Sequence, residues 1–417
     1  MKSLILLLLL LFNLESFSSY ILIPMDETQT NHLKSYGIAF LTLEQDVKVD
    51  WLLNYRGGSF LIKHYPEIEK ECIIRGVSYE IIADVQSTEI LKSISSPSVN
   101  QDVVRLEKTP KIAIYSPKNK QPWDDAVTMA LSYAEIPYEV IYDEEVLSDI
   151  LPLFDWLHLH HEDFTGQYGK FYASYKNATW YKEQKVLYEQ TATKLGFDKV
   201  SDEKLAVAKK IKNFVMGGGF LFAMCSATDS YDIALASQNT DICAHMFDGD
   251  PIESGAQNKL DFSKTLAFKD FSLVTNPNQY EFSSIDATSN RKIKAEVDFF
   301  TLFDFSAKWD PIPTMLCQNH TRVVKGFMGQ TTSFNNEFIK SDVLIMGETK
   351  STNESRYIHG TLGNGTWTFY GGHDPEDYQH KVGDPKTDLS LHPNSAGYRL
   401  ILNNILFPAA KKKKQKT

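Results

Sequence analysis

Residues 217–230 read GGGFLFAMCSATDS and place Cys225 where an apolar run, Phe220–Met224, gives way to a helical stretch over 226–236. A thiol at a strand-to-helix junction has the helix N-terminus to stabilise its anion and backbone N–H groups to hold an oxyanion. Ala223, Ser226 and Ala227 are small, as a crowded nucleophile turn requires. The same segment also suits a buried core cysteine behind a glycine helix stop. A second segment, TWTFYGGHDPEDYQH (366–380), ends a β-rich run at Gly371 and Gly372 and delivers His373, Asp374 and Glu376 into a loop held by Pro375. A thiol nucleophile needs an imidazole base, and the imidazole needs a carboxylate to fix its tautomer. Cys225 is therefore expected as nucleophile, His373 as base, and Glu376 or Asp374 as the orienting carboxylate. The alternative is a solvated acidic loop.

A third segment is HLHHEDFTGQ (158–167). Alternation along a strand puts His158 and His160 on one face and His161 on the other. At the carboxyl end of a parallel strand these rings, with Glu162 and Asp163, would face the ligand crevice. His158, His160, His161, Glu162, Asp163 and Ser226 are thus the expected ligand-binding set. Histidine with carboxylate can bind zinc, but no spacing here matches a zinc motif, so no metal ligand is assigned and no cofactor is required. Arg56, Gly57 and Gly58 read as a tight turn, and 241–250 as a loop.

These segments need elements to hold them. YILIPM (20–25) is β-rich and leads into a helical-period stretch over about 28–44, with Leu33, Tyr36, Phe40 and Leu43 on one side. Strands at 47–53 and 78–83 with a helix near 67–75 predict a small parallel layer over 20–105. Residues 93–110 are polar, carry Ser-Ser-Pro-Ser and read as a linker. A second alternation starts at Lys111: strand 111–115, helix 123–134, strands 138–142 and 155–160, helix 203–215, strand Phe220–Met224, helix 226–236. Continuous apolar strands between helices predict an α/β fold with a largely parallel, doubly wound sheet. Residues 265–370 carry short β-like runs at 298–303, 323–328 and 342–346, and a helix at 397–406 closes the domain. The organisation expected is a small α/β unit (20–105), a main domain (111–408) and a basic tail (409–417). The loops after Met224, His160 and Tyr370 should meet at the carboxyl edge of the main sheet.

The 417 residues are 42% hydrophobic, 23% charged and 12% aromatic, which excludes a disordered or low-complexity chain. Net charge is −10 although five of the last seven residues are lysine, so the body is more acidic still. Such a surface repels a phosphate backbone and excludes nucleic acid as a partner; a small-molecule substrate is expected instead. Four cysteines are too few for a disulfide scaffold. The apolar run 4–12 follows Lys2 and is shorter than the roughly 18 residues that span a bilayer. It fits a secretory signal peptide, residues 1–19, cleaved near Ser18 or Ser19. No later segment is apolar enough to cross a membrane, so the mature chain is expected to be exported to the periplasm or the extracellular space.

The segments KIKNFVMGGGFLFAMC, GTLGNGTWTFYGGHD and GYRLILNNILFP, in that order, resemble the class I glutamine amidotransferase-like superfamily, particularly its trehalose-utilisation (ThuA-like) branch, over residues 111–408. In that branch a glycine-ended helix feeds a strand, and a late Gly-x-Gly hairpin delivers a Gly-His at a strand end. In amidotransferases a Cys elbow works with a late His-Pro-Glu. His373-Asp374-Pro375-Glu376 is similar to that motif with Asp374 inserted, whereas Ala-Met-Cys-Ser-Ala departs from the usual Gly-x-Cys-x-Gly. The whole chain, including IPMD, WLLNYRGGSF and HLHHEDFTGQYG, is also similar to exported bacterial proteins labelled asparagine synthetase B. True enzymes of that name use an N-terminal cysteine and a Ser-Gly-Gly-x-Asp-Ser motif. Here no cysteine follows the predicted cleavage site, and no such motif occurs.

Three functions follow as expectations. The first is an exported cysteine hydrolase or amidotransferase-like protein acting on an amide or related acyl bond. The second is a ThuA-like carbohydrate-handling protein, a binding module or metal-assisted enzyme, with Trp156, His158 and His160 lining its pocket. The third is a catalytically inert envelope protein.

Overall fold

The computed structural model describes residues 19–119, 121–291 and 293–411. The expected signal peptide, apart from Ser19, and the basic tail beyond Lys411 lie outside the described residues. Five short strands make the first sheet: β1 (Ser19–Ile23), β2 (Val49–Leu53), β3 (Ser59–Lys63), β4 (Glu80–Ala83) and β5 (Asp102–Leu106), in the order β4-β1-β3-β2-β5. Every neighbouring pair is antiparallel, which corrects the expected parallel layer. The cause is the connection. Only residues 54–58 join β2 to β3, too few for the crossover that parallel strands require. A Cβ on Gly57 in that turn (φ 74°) would sit 2.2 Å from the Met25 carbonyl oxygen, so only glycine fits. The segment SFLIK, not anticipated as a strand, is the central one. Residues 93–110 are not a free linker either: β5 pairs with β2, and Arg105 grips Asp50 through hydrogen bonds of 2.7 and 2.8 Å. Helix α1 (His32–Glu44), capped by the Asn31 side chain, covers one face of this sheet with α2 (Pro66–Arg75) against it, and α3 (Asp84–Ser95) covers the other face through Ile94 on Leu22, Leu52 and Leu61.

The second sheet has ten strands: β6 (Ile112–Tyr115), β7 (Glu139–Ile141), β8 (Trp156–Leu159), β9 (Phe220–Met224), β10 (Phe299–Leu302), β11 (Val323–Lys325), β12 (Phe334–Asn335), β13 (Leu344–Thr349), β14 (Glu354–Leu362) and β15 (Gly365–Tyr370). The run β15-β9-β8-β6-β7 is parallel, while β11-β10-β13-β14-β15 is antiparallel, with β12 on β14. The molecule is thus α/β with a mixed sheet, and the largely parallel expectation holds for one half only. Connection length again decides: two residues join β14 to β15 as a hairpin, whereas whole helices separate β8 from β9.

Helices α4 (Ala126–Ala134), α5 (Thr179–Lys194), α6 (Val200–Gly217), α7 (Ala227–Ala236) and α8 (Ala396–Leu406) pack around the parallel half. Its strands are apolar on both faces. Ile112, Ile114, Trp156, Phe222 and Met224 join a core with α1, α4 and α8. Ala113, Tyr115, Leu157, Leu159, Leu221 and Ala223 join another with α6 and α7. The first of these cores runs on without a break into the N-terminal sheet, taking in Ile21, Trp51 and Phe60. No described helix is long and apolar enough to cross a membrane.

Candidate active site

Strand β9 ends at Met224, and the chain turns into α7 within two residues, Cys225 and Ser226. The turn puts Cys225 at φ 51°, the left-handed region that costs a side-chain-bearing residue about 1–2 kcal/mol. Its surroundings hold it there. The Cys225 N–H donates to the Gly372 carbonyl at 3.2 Å, and its own carbonyl accepts from the Thr228 N–H (3.2 Å) and Oγ1 (2.7 Å). The Ala227 N–H donates to the His160 carbonyl at 3.0 Å, so the elbow is tied to the loops after both β8 and β15. The Gln330 N–H points at Cys225 Sγ, 3.4 Å away. Ser226, the residue after the thiol, is where such a turn offers a backbone oxyanion donor.

Strand β15 delivers His373. A Cβ on Gly371 would lie 2.5 Å from the Thr332 carbonyl oxygen, and one on Gly372 (φ 102°) 2.5 Å from the Phe327 ring. Two glycines are what allow the chain to pass here. His373 follows, with Nε2 3.0 Å from Oδ1 of Asp124 and a ring nitrogen within 4.8 Å of Cys225 Sγ. Burial works against protonating this ring, but Asp124 and Cys225 beside it outweigh that and push its pKa up to about 10, which favours the protonated ring. Burial pushes Asp124 upward, yet His373, His380 and His160 around it hold it below the usual carboxylate value.

Its neighbour Asp125 caps α4, Oδ1 accepting the Thr128 N–H at 2.8 Å. Oδ2 of Asp125 lies 3.3 Å from both His158 Nε2 and His160 Nδ1. Burial nevertheless pulls His160 down to about 4. His161 donates from Nε2 to the Asp124 carbonyl at 2.6 Å, and burial, reinforced by His160 and His373, keeps it neutral. The rings of His160 and His161 stack at 3.9 Å, which corrects their expected placement on opposite faces. β8 ends at Leu159, so alternation no longer governs His161. One ring nitrogen from each of His160, His161 and His373, together with Cys225 Sγ, all lie within 4.8 Å of one another, so these four could hold a metal ion.

The structure thus brings Cys225, His373, His160 and His161 together and leaves other expected residues outside. Neither Glu376 nor Asp374 orients His373. Glu376 pairs with His392 at 3.2 Å. Asp374 is fully buried and accepts from Tyr398 Oη (2.8 Å), Thr387 Oγ1 (2.6 Å) and the Glu376 N–H (2.9 Å), fixing α8 beneath the loop. Glu162 turns away to Tyr142 Oη (3.2 Å), where burial raises it to about 7. Asp163 shapes its own loop, accepting from the Thr165 N–H (2.7 Å) and the Gly169 N–H (3.0 Å). His158 is sealed between strands, its Nδ1 on the Phe222 carbonyl at 3.1 Å, and Trp156 packs in the core against Phe222 rather than lining a pocket. Ser226 is buried at the start of α7. The sequence reading missed Asp124, Asp125 and His380. The first two carried a signal: Asp-Asp directly before Ala126 is a helix cap placed just past a parallel strand.

Beside His161 an aromatic cluster reaches the surface. Trp123 lies 5.4 Å from His161, Phe171 and Trp180 pack on Trp123 at 5.2 and 5.5 Å, and Tyr280, 41% exposed, lies 5.7 Å from Phe171. A separate cleft of about 370 Å³ opens at the opposite, amino-terminal ends of β8 and β9, lined by Asp155, Lys210 and Gly219. It holds none of these groups, which gather at the carboxyl edge instead.

No family model and no curated protein matches the chain. Among solved structures it is similar to the cytoplasmic protein STM3548 from Salmonella typhimurium (12% identity, TM-score 0.34, covering 73% of this chain and 100% of that one). It is similar to the cytoplasmic protein STM1381 from Salmonella typhimurium LT2 (11% identity, TM-score 0.37, 72% and 100%). It is also similar to Gan42B, a GH42 beta-galactosidase (10% identity, TM-score 0.27, 64% and 28%).

Proposed function

We propose that this protein is a cysteine-dependent hydrolase or acyl transferase acting on an amide or related acyl bond of a small molecule. The observation that carries the reading is Cys225 held at φ 51° on a strand-to-helix turn, its Sγ within 4.8 Å of a ring nitrogen of His373, which Asp124 orients at 3.0 Å. Cys225 Sγ attacks the acyl carbon while its proton resides on His373. The developing oxyanion takes the backbone N–H of Ser226. His373 then gives the proton to the leaving amine, and a thioester remains on Cys225. Water, deprotonated by His373, releases the acid and restores the thiol. A class I glutamine amidotransferase-like, doubly wound core is part of this proposal, supported by the helices on both faces of the parallel half. Export is part of it too, resting on the apolar run 4–12.

The test is iodoacetamide alkylation at pH 7 on chelator-treated protein, with the modified residue located by mass spectrometry. Cys225 should react about tenfold or more faster in wild type than in His373→Ala. Equal, slow labelling of both would mark an unactivated buried thiol and remove the hydrolase reading. A second reading, a carbohydrate-handling pocket, draws on the aromatic cluster of Trp123, Phe171, Trp180 and Tyr280, whose faces could stack on sugar rings. Saturable quenching of tryptophan fluorescence by a disaccharide, lost in Trp123→Ala, would support it, and unchanged emission across a panel of disaccharides would refute it.

A further inference from the structure

Three histidines meet Cys225, yet acyl transfer uses only His373. The other two are not core fillers that satisfy one another. His160 is 1% exposed, and neither of its ring nitrogens makes a hydrogen bond, although Asp125 Oδ2 stands 3.3 Å from Nδ1; this is a costly state for buried polar atoms. One nitrogen of each of the three rings also has an oxygen beside it, hydrogen-bonded in His161 and His373 and at ion-pair distance in His160. Asp125 Oδ2 lies 3.3 Å from His160 Nδ1, the Asp124 carbonyl 2.6 Å from His161 Nε2, and Asp124 Oδ1 3.0 Å from His373 Nε2. This is how metal-ligating histidines are held: a carboxylate or carbonyl on one nitrogen fixes the ring and leaves the other for the ion. The nitrogens left over are Nε2 of His160 and Nδ1 of His161 and His373.

We propose that His160, His161, His373 and Cys225 form a four-ligand site for a transition-metal ion, zinc(II) foremost, and that the bound ion withdraws the thiol from acyl chemistry. One ring nitrogen of each histidine and Cys225 Sγ all lie within 4.8 Å of one another, so the site needs only a small contraction. Tetrahedral zinc, with bonds of about 2.0–2.3 Å, sets its ligand atoms about 3.3–3.7 Å apart. Three imidazoles and a thiolate favour zinc, cobalt or copper over the oxygen-seeking magnesium and calcium. A dication with one thiolate leaves one positive charge, which the negative carboxylates of Asp124 and Asp125 near the rings favour. A second cysteine cluster, Asp241, Cys243 and Asp248, does not compete, because Lys199 Nζ already occupies it, 2.7 Å from Asp241 and 3.0 Å from Asp248.

The test is titration of the chelator-treated full chain with cobalt(II), followed by absorption, and with zinc(II), followed by protection of Cys225 from iodoacetamide. Expected are one equivalent of cobalt with a thiolate-to-metal charge-transfer band and intense four-coordinate bands. Zinc should slow Cys225 alkylation about tenfold or more, reversibly on adding chelator. His160→Ala should abolish the cobalt spectrum, and Asp125→Asn should weaken affinity about 10–100-fold. Wild type that gives no thiolate band and no zinc protection overturns the proposal even if the variants fail to fold. That outcome leaves the hydrolase reading standing, because alkylation of metal-free protein and its dependence on His373 are measured separately. Conversely, cobalt binding to a protein whose metal-free thiol is inert would retain the metal site and remove the hydrolase.

Discussion

The geometry around His373 assigns its orienting carboxylate to a residue almost 250 positions upstream, and this can be tested directly. Asp124→Asn keeps a similar shape but removes the charge that holds the imidazolium. Cys225 labelling at pH 7 should fall about tenfold, and Glu376→Gln should change it by less than about twofold, since Glu376 faces His392. The reverse ranking would restore the sequence-based assignment. Glu376 does not reach His373 for a physical reason: the two share a loop, but loop neighbours seldom face the same partner, and the carboxylate that does reach it, Asp124, stands just before the helix cap Asp125, after another strand. The turns that carry Cys225 and His373 were legible because glycines and small residues mark a crowded turn in any sequence. Asp229, one turn beyond the thiol on α7, supplies a second expectation. It is fully buried with one side-chain hydrogen bond, from Thr331 Oγ1 at 2.9 Å, and burial raises its pKa from 3.8 to about 7. A carboxyl raised on folding binds more protons in the native state, so its contribution to stability is greatest in acid. That contribution falls as pH rises from about 4 to about 7 and is level above. Asp229→Asn should remove that slope, raising stability at pH 8 by on the order of a few kcal/mol and changing little at pH 4. Thermal melts of both proteins at the two pH values check it, and parallel pH profiles would show that Asp229 does not titrate on folding.

The elbow between β9 and α7 stores local strain, and a pair of substitutions reads it out. Cys225→Ala and Cys225→Gly both remove the thiol and its contact with Gln330, but only glycine enters φ 51° without steric conflict. The glycine variant should therefore be about 1 kcal/mol more stable than the alanine variant, the opposite of their order inside a helix. Urea titrations compare them, and a more stable alanine variant would mean the turn relaxes once the thiol is gone. Other elements were legible in uneven measure. Continuous apolar strands announced β6, β8 and β9, and amphipathic spacing announced α1, α6 and α8. β3 and β5 were hidden. SFLIK is short and flanked by turn residues, and DVVRL is half polar because its outward Arg105 pairs with Asp50. Direction was less visible than existence, since a strand's residues do not state whether its neighbour runs with or against it; connection length does, and β3 had to be seen first.

The sequence divides the chain near residue 105, where polar residues cluster, but the packing does not respect that division. Arg399 on α8 is fully buried and donates to the Met25 carbonyl (2.9 Å), to the Gly57 carbonyl and to Tyr36 Oη (3.0 Å). Tyr36 Oη in turn donates to Asn403 Oδ1 at 2.5 Å. Gln318 closes two hydrogen bonds of 2.9 Å with Asn54, and Asn100 bonds Phe305 and Ala307. These contacts join residues hundreds of positions apart, so no local pattern could announce them. With an apolar core continuous across both sheets, the two regions should unfold as one unit rather than as independent domains. Gly37 offers the sharpest probe, because α1 crosses α4 there so closely that a Cβ would lie 1.9 Å from the Ala134 carbonyl oxygen. Gly37→Val must push the helices apart at the seam between the sheets, and it should cost several kcal/mol. If the regions are coupled, that loss lowers the urea midpoint of both alike. Hydrogen exchange read by mass spectrometry follows each at once, through peptides covering β1–β3 and peptides covering β6, β8 and β9. The two sets should lose protection at one shared midpoint in wild type and at one lower shared midpoint in Gly37→Val. Loss of protection confined to β1–β3, with β6, β8 and β9 unmoved, would mean that the seam is a contact between separately stable domains.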